Sequence, residues 1–427
     1  MSFIYILPFI ILGLCFIMNI PLGVGMIGAC VTFFVTAGRD VGLIADIMMN
    51  NLYTNTVMIA IPLFIFTANI MNSGKVTEYM FTFAKACVGR RHGAMAYVNI
   101  LVSLIFSGMT GSALADASGI GLMEIEEMKR NGYDTAFSCA ITSASATIGP
   151  IFPPSIPMVV YAMLSGTSVG ALFMGGIVPA VLIALALGLW VAFISNKRKY
   201  PLGESFTLGQ FLRYTLKALP ALMTPVILIG GIYSGVVTPT EAGALAAVYT
   251  ILIALIAYRV LTLRGILRAI RETVVQTAVV MCLAGASMVL SHIVTTSGMS
   301  RLIAEWVLSI TDSKYVFLLI INVVFLFLGM ILDTQTIQYV FIPMILPVVA
   351  ALGIDLVHFG VIIVLNMMIG LSSPPYGMLC FVTSGIAKEP LQNVFREVLP
   401  MVIAMIAVLL LSTFVPGLVL TLPNMLG

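Results

Sequence analysis

The chain has 427 residues, 60% of them hydrophobic and 9% charged, and its mean hydropathy is +1.13. Soluble domains carry roughly 25% charged and under about 50% apolar residues, so a soluble fold is excluded. A formal charge of only +3 gives no basic field for a nucleic acid partner.

In chain order, the opening MSFIYILPFI has neither a basic n-region nor a small-residue cleavage site, so Ile4 to Met18 reads as a retained span. Apolar stretches at or near the ~20 residues a bilayer demands recur at Ala218 to Tyr233, Ala242 to Ala257 and Val398 to Val415, among others. This criterion predicts about ten spans plus interrupted pieces. Basic residues cluster between them: Lys197, Arg198, Lys199, Arg213 and Lys217 in one loop, Arg259, Arg264, Arg268 and Arg271 in another. The positive-inside rule makes both cytoplasmic. Counting outward from them places Arg90, Arg91, Lys129, Arg130, Lys388 and Arg396 on the same side and both termini outside. Six scattered cysteines show no metal or disulfide spacing and read as free, packed thiols.

The two halves of the chain match at one offset. Phe106, Gly108 and Met109 return as Phe327, Gly329 and Met330, 221 residues later. The same shift carries Gly132 and Asp134 onto Gly353 and Asp355, Ile148 and Gly149 onto Ile369 and Gly370, and Pro153 and Pro154 onto Pro374 and Pro375. A co-linear set of Gly, Asp and paired Pro indicates duplication, 1–200 and 201–427. The charge rule puts Arg90 and Arg91 inside and the equivalent loop at Asp312 to Lys314 outside. The repeats are therefore expected to be inverted, a transporter signature. The predicted fold is all-α and integral to the membrane.

Each repeat begins with ordinary scaffold helices (1–72 and 218–257) and then holds two interrupted elements. A hairpin is predicted over 94–128, turning at SGMTGSALADASG, and its partner over 315–351, turning at LGMILDTQT. Gly, Ser, Thr and Asp at such turns supply positive φ and oxygen ligands while leaving backbone groups unpaired. Irregular backbone at membrane depth is tolerated only inside protein or beside water. A broken span is predicted over 136–163, at TIGPIFPPSIP, and over 359–384, at IGLSSPPYG. Each double proline removes two N–H donors and ends a half-helix. Freed carbonyls suit a hard cation, and half-helix N-termini suit a carboxylate.

These arguments nominate a sodium site from Ser107, Gly108, Ser112, Thr147 and Gly149 in repeat one, and from Gly329, Asp333, Thr336, Gly370 and Ser372 in repeat two. Pro153, Ser155, Ser373 and Pro374, beside the breaks, are the candidate substrate contacts. Asp333, flanked by Thr334 and Thr336 and expected to face the second break, is the main charged ligand, because acidic residues inside a membrane mark ion or proton paths. Asp116 reads as a weaker ligand or as the cap of the helix that follows the first turn. His292, His358 and Glu241 read as satisfied polar groups. GVGMIG at Gly23 to Gly28 fits a dinucleotide pattern, but with no strand before it the segment is close helix packing. No phosphate-binding loop, HExxH or GxSxG is present, so the chain is read as a non-enzyme without cofactors other than coupling sodium.

Four stretches carry a resemblance that extends over essentially the whole chain: SGVVTPTEAGALAAVY (Ser234 to Tyr249), SGMTGSALADASG (Ser107 to Gly119), GPIFPPSIP (Gly149 to Pro157) and GLSSPPYG (Gly370 to Gly377). The chain resembles the large membrane subunit of the tripartite ATP-independent periplasmic (TRAP) transporters. That resemblance implies an elevator-type permease of the bacterial inner membrane, with a small four-span membrane subunit and a periplasmic substrate-binding protein as partners. It implies organic acid anions such as C4-dicarboxylates, sialic acids or other sugar acids as substrates. It also implies sodium at hairpin tips and helix breaks, falling here on Ser107, Ser112, Gly149, Asp333, Thr336 and Gly370. The rival readings are a stand-alone sodium/dicarboxylate-type symporter, which the TPTEAG stretch speaks against, and a membrane scaffold, which has no use for mid-membrane breaks. The residues leave open which organic acid is carried and whether Asp333 carries a proton instead.

Overall fold

A computed structural model describes residues 3–426 except 19, 73, 299–301, 303, 304, 306–308 and 310. All regular elements among the described residues are helical. Among the described residues seven helices are long and apolar enough to cross a membrane, or eight if the bent pair Gly42–Thr54 and Thr56–Met71 is one span. Six further apolar stretches among the described residues fold as shorter helices of 10–17 residues. Leu, Val and Ile side chains stand exposed along Val169–Arg198, Leu208–Tyr233 and Leu263–Thr296, as lipid-facing helices require.

The first hairpin is Ala94–Thr110, a turn at Gly111 and Ser112, then Ala113–Ser118 and Ile120–Arg130. The second is Lys314–Ile331 followed by Thr334–Ala351. Thr135–Ala146 and Ile156–Ser165 flank the first double proline; Leu356–Ser372 and Met378–Ala387 flank the second. The helix starts pair across the halves 220 to 222 residues apart: Ala94 with Lys314, Ala113 with Thr334, Thr135 with Leu356, Ile156 with Met378. Ser112 and Asp333 are equivalent N-caps, as are Asp134 and Asp355. Both Pro-Pro peptide bonds are cis.

The halves also differ. Gly111 turns hairpin one at φ +59°, whereas its counterpart Leu332 is extended. Helix Leu263–Thr296 runs unbroken through 34 residues. Its repeat-one equivalent bends by 71° at Asn55, whose side chain caps a short 3₁₀ turn. The TPTEAG stretch is a helix start: Thr238 and Glu241 form a reciprocal capping box with Pro239 at the first helical position.

Charged loops gather at one end of the molecule. Arg198 bonds Asp134 at 3.2 Å and Glu397 at 2.8 Å, Lys85 bonds Glu127 at 2.9 Å, and Gly203 donates to the Arg91 carbonyl. Helix Leu391–Phe414 starts at this end and, at about 1.5 Å per residue, reaches the other, where Phe414 lies 6.1 Å from Tyr315. Hairpin one therefore opens at the basic end and hairpin two, beginning at Lys314, at the opposite end.

Candidate functional site at the hairpin tips and helix breaks

Both hairpin tips meet at one cavity of about 310 Å³, walled by Gly111 to Leu114, Pro150, Ile156, Pro157, Asp333 to Gln335, Met368 and Leu371. Three helix N-termini converge on it, those of Ala113–Ser118, Ile156–Ser165 and Thr334–Ala351, and among the described residues no Lys, Arg or His lines it.

Glycines let the tip of hairpin one lie directly on the first break. A Cβ on Gly111 would sit 2.6 Å from the Pro154 carbonyl oxygen, and one on Gly149 2.5 Å from Asp116 Oδ2. Ser112 caps the next helix by accepting from the Ala115 N–H. Asp116 is therefore not the cap: it is buried, its Oδ1 accepts from the Thr110 hydroxyl at 2.5 Å, and its Oδ2 has no partner. That leaves an enclosed carboxylate oxygen against the first break.

Hairpin two is built on the same plan. A Cβ on Gly370 would come 2.7 Å from the backbone of Gly329, so the first arm and the broken span touch backbone to backbone. Gly370 thus faces Gly329 in the arm, not the tip. Asp333 caps Thr334–Ala351, accepting from the Thr336 N–H at 3.1 Å and from the Thr336 hydroxyl. The acid shares the cavity with Met368 and Leu371; the hydroxyls of Ser372 and Ser373 are bonded back to the Ile369 carbonyl at 3.1 and 2.6 Å.

Other candidates sit elsewhere. Gly108 faces Pro225 of helix Leu208–Tyr233. Thr147 donates to the Ala144 carbonyl and approaches Met405 sulfur at 3.4 Å, away from the tip. Ser107 donates to the Leu104 carbonyl at 2.5 Å. Ser155 caps Ile156–Ser165 and donates to the Pro150 carbonyl. Pro153 is buried and Pro374 half-buried.

Sequence reasoning missed a buried polar set. Gln338 donates across the repeats to the Pro157 carbonyl at 3.0 Å, with its own Oε1 unpartnered. Asn99 links Thr142 and Ser145 between hairpin one and the first broken span. Asn366, the repeat equivalent of Ser145, bonds Asn322 in the second, and Asn322 bonds Thr413. An amide inside an apolar run, as in AYVNILV or VLNMM, is the signal that finds them, because buried polar groups need partners.

The family model for the tripartite ATP-independent periplasmic transporter DctM component matches residues 8–418. The chain is 39% identical, over 97% of both chains, to a sialic acid TRAP transporter large permease protein of Vibrio cholerae. It is 38% identical, over 87% of both, to a C4-dicarboxylate TRAP transporter large permease protein of Pseudomonas aeruginosa. Its fold is similar to the solved YdaH transporter of Alcanivorax borkumensis, with a TM-score of 0.64 at 13% identity over 88% of this chain and 87% of that one. With a matching family model over nearly its whole length, the chain belongs to the DctM large-permease family of the tripartite ATP-independent periplasmic transporters.

Proposed function

We propose that this permease carries an organic acid anion inward with sodium, receiving it from a periplasmic binding protein and working beside a small membrane subunit. The observation that carries this reading is the cavity where two hairpin tips, entering from opposite ends, meet at three helix N-termini with Asp333 in the wall. Helix N-termini favour a carboxylate. That carboxylate and Asp333 place two negative charges in one cavity whose described lining holds no basic side chain, so a cation is expected to enter with the substrate. Hydroxyls and freed carbonyls are the ligands a hard cation takes. The candidate sodium ligands are Asp333, Asp116 and the backbone around Gly149 and Gly370. Relatives named for sialic acid and for C4-dicarboxylates support an organic acid as cargo. In this reading the repeats 1–200 and 201–427 are inverted, the hairpins and broken spans travel together against the scaffold helices, and the basic end faces the cytoplasm.

The test is uptake of labelled organic acids into proteoliposomes holding this chain with its small subunit. Uptake that requires both the binding protein and an inward sodium gradient supports the proposal. Uptake needing sodium but no binding protein would convert the assignment to a stand-alone symporter.

A further inference from the structure

Glu124 lies on Ile120–Arg130, the last segment of hairpin one, with 2% of its surface exposed. Its Oε1 is enclosed without a hydrogen-bond partner. Besides Gly74–Val88, whose Lys85 is paired with Glu127 at 2.9 Å, the helices packed on this segment are Ala94–Thr110, Ala113–Ser118, Thr135–Ala146 and Met378–Ala387. These four carry no Lys, Arg or His; their titratable groups are Tyr97, Asp116, Cys139 and Cys380. Beyond its burial, which weighs most, the charge that bears on Glu124 is a second carboxylate, Asp116. On its own helix, Arg130 is turned to Glu126 and Glu127, and Lys129 lies in the last turn.

A buried carboxylate without a counter-charge is expensive to keep ionised, so a cation belongs there. A metal ion needs several oxygen ligands, and among the described residues no group of three or more His, Cys, Asp or Glu side chains gathers to hold one. The cation that fits is a proton. Glu127, one turn further along, is 25% exposed and bonded to Lys85. It brings water-facing oxygens within one helical turn of Glu124.

We infer that Glu124 is a proton-binding site on hairpin one, loaded in this conformation and exchanging with water at the basic end past Glu127. This goes beyond sodium coupling at the tips. Loss of the proton puts a second negative charge inside hairpin one near Asp116, so uptake falls as pH rises through the titration of Glu124.

The experiment has two arms. Uptake by the full transporter is measured against pH, equal on both faces, for wild type and Glu124→Gln, which copies the neutral form. The expected result is an alkaline fall in wild type that the variant lacks; the same profile in both overturns the inference. The second arm needs no substrate, so its failure is distinct from failure of sodium-driven uptake. Infrared spectra of the purified protein at neutral pH should show the carbonyl stretch of a protonated carboxylic acid, reduced in Glu124→Gln. A wild-type spectrum without any such band overturns the inference even if the variant does not fold.

Discussion

Gly370→Ala is the most informative single perturbation of hairpin two. The added Cβ would lie 2.7 Å from Gly329 C and Cα and 3.0 Å from the Leu326 carbonyl oxygen. Ordinary contacts between such atoms begin near ~3.5 Å, so the arm and the broken span must part by roughly 0.5–1 Å. All three obstacles are backbone, which cannot rotate away. Overpacking of this kind costs about 1–3 kcal/mol. The displacement is passed to Asp333, four residues beyond Gly329 in the same hairpin, and a ~1 Å error in a functional constellation can cost on the order of 100-fold. The variant should insert and be purified as a folded protein with a lowered melting temperature, while sodium-driven uptake falls at least about tenfold. Uptake within twofold of wild type, with normal melting, would refute the claim that backbone contact at Gly329 and Gly370 positions the hairpin.

Asp333→Asn should abolish sodium-dependent uptake while leaving melting within a few tenths of a kcal/mol of wild type, since Asn caps a helix about as well as Asp; retained uptake with unchanged sodium dependence would remove Asp333 from the ligand set. Asn366→Leu strips the bonds to Asn322 and leaves buried polar groups unmet, costing about 1–3 kcal/mol. Thermal melts in detergent read this directly, and adding Asn322→Leu should return part of the loss. Arg198→Gln breaks two partly exposed ion pairs and should cost only about 0.5–1 kcal/mol, less at high salt; a salt-independent loss would mean that the side chain acts through packing.

The interrupted elements were legible because their causes are local. Double prolines end helices wherever they occur, and the turn residues of the hairpins are conspicuous inside apolar runs. The offset of 221 residues then anticipates the equivalence of Ser112 and Asp333, which the structure renders as matching N-caps. Which way a side chain faces is not a local property. Gly108 and Thr147 belong to the right segments, yet they turn to Pro225 and Met405, because helix rotation is set by packing partners far away in sequence. Asp116 reads as a possible cap because a four-residue shift along a small-residue turn leaves no mark in the sequence; the cap is Ser112. Glu124 is hidden by its setting: GLMEIEEMKR reads as a charged helix end, and only the packing of the surrounding helices shows that its carboxylate is enclosed.

The most direct test of the central claim is equilibrium binding of radiolabelled sodium to the purified permease, without substrate or binding protein. The account predicts saturable binding in wild type that Asp333→Asn and Gly370→Ala reduce. No saturable binding in wild type, or equal binding in all three proteins, would contradict a sodium site at the hairpin tips and helix breaks.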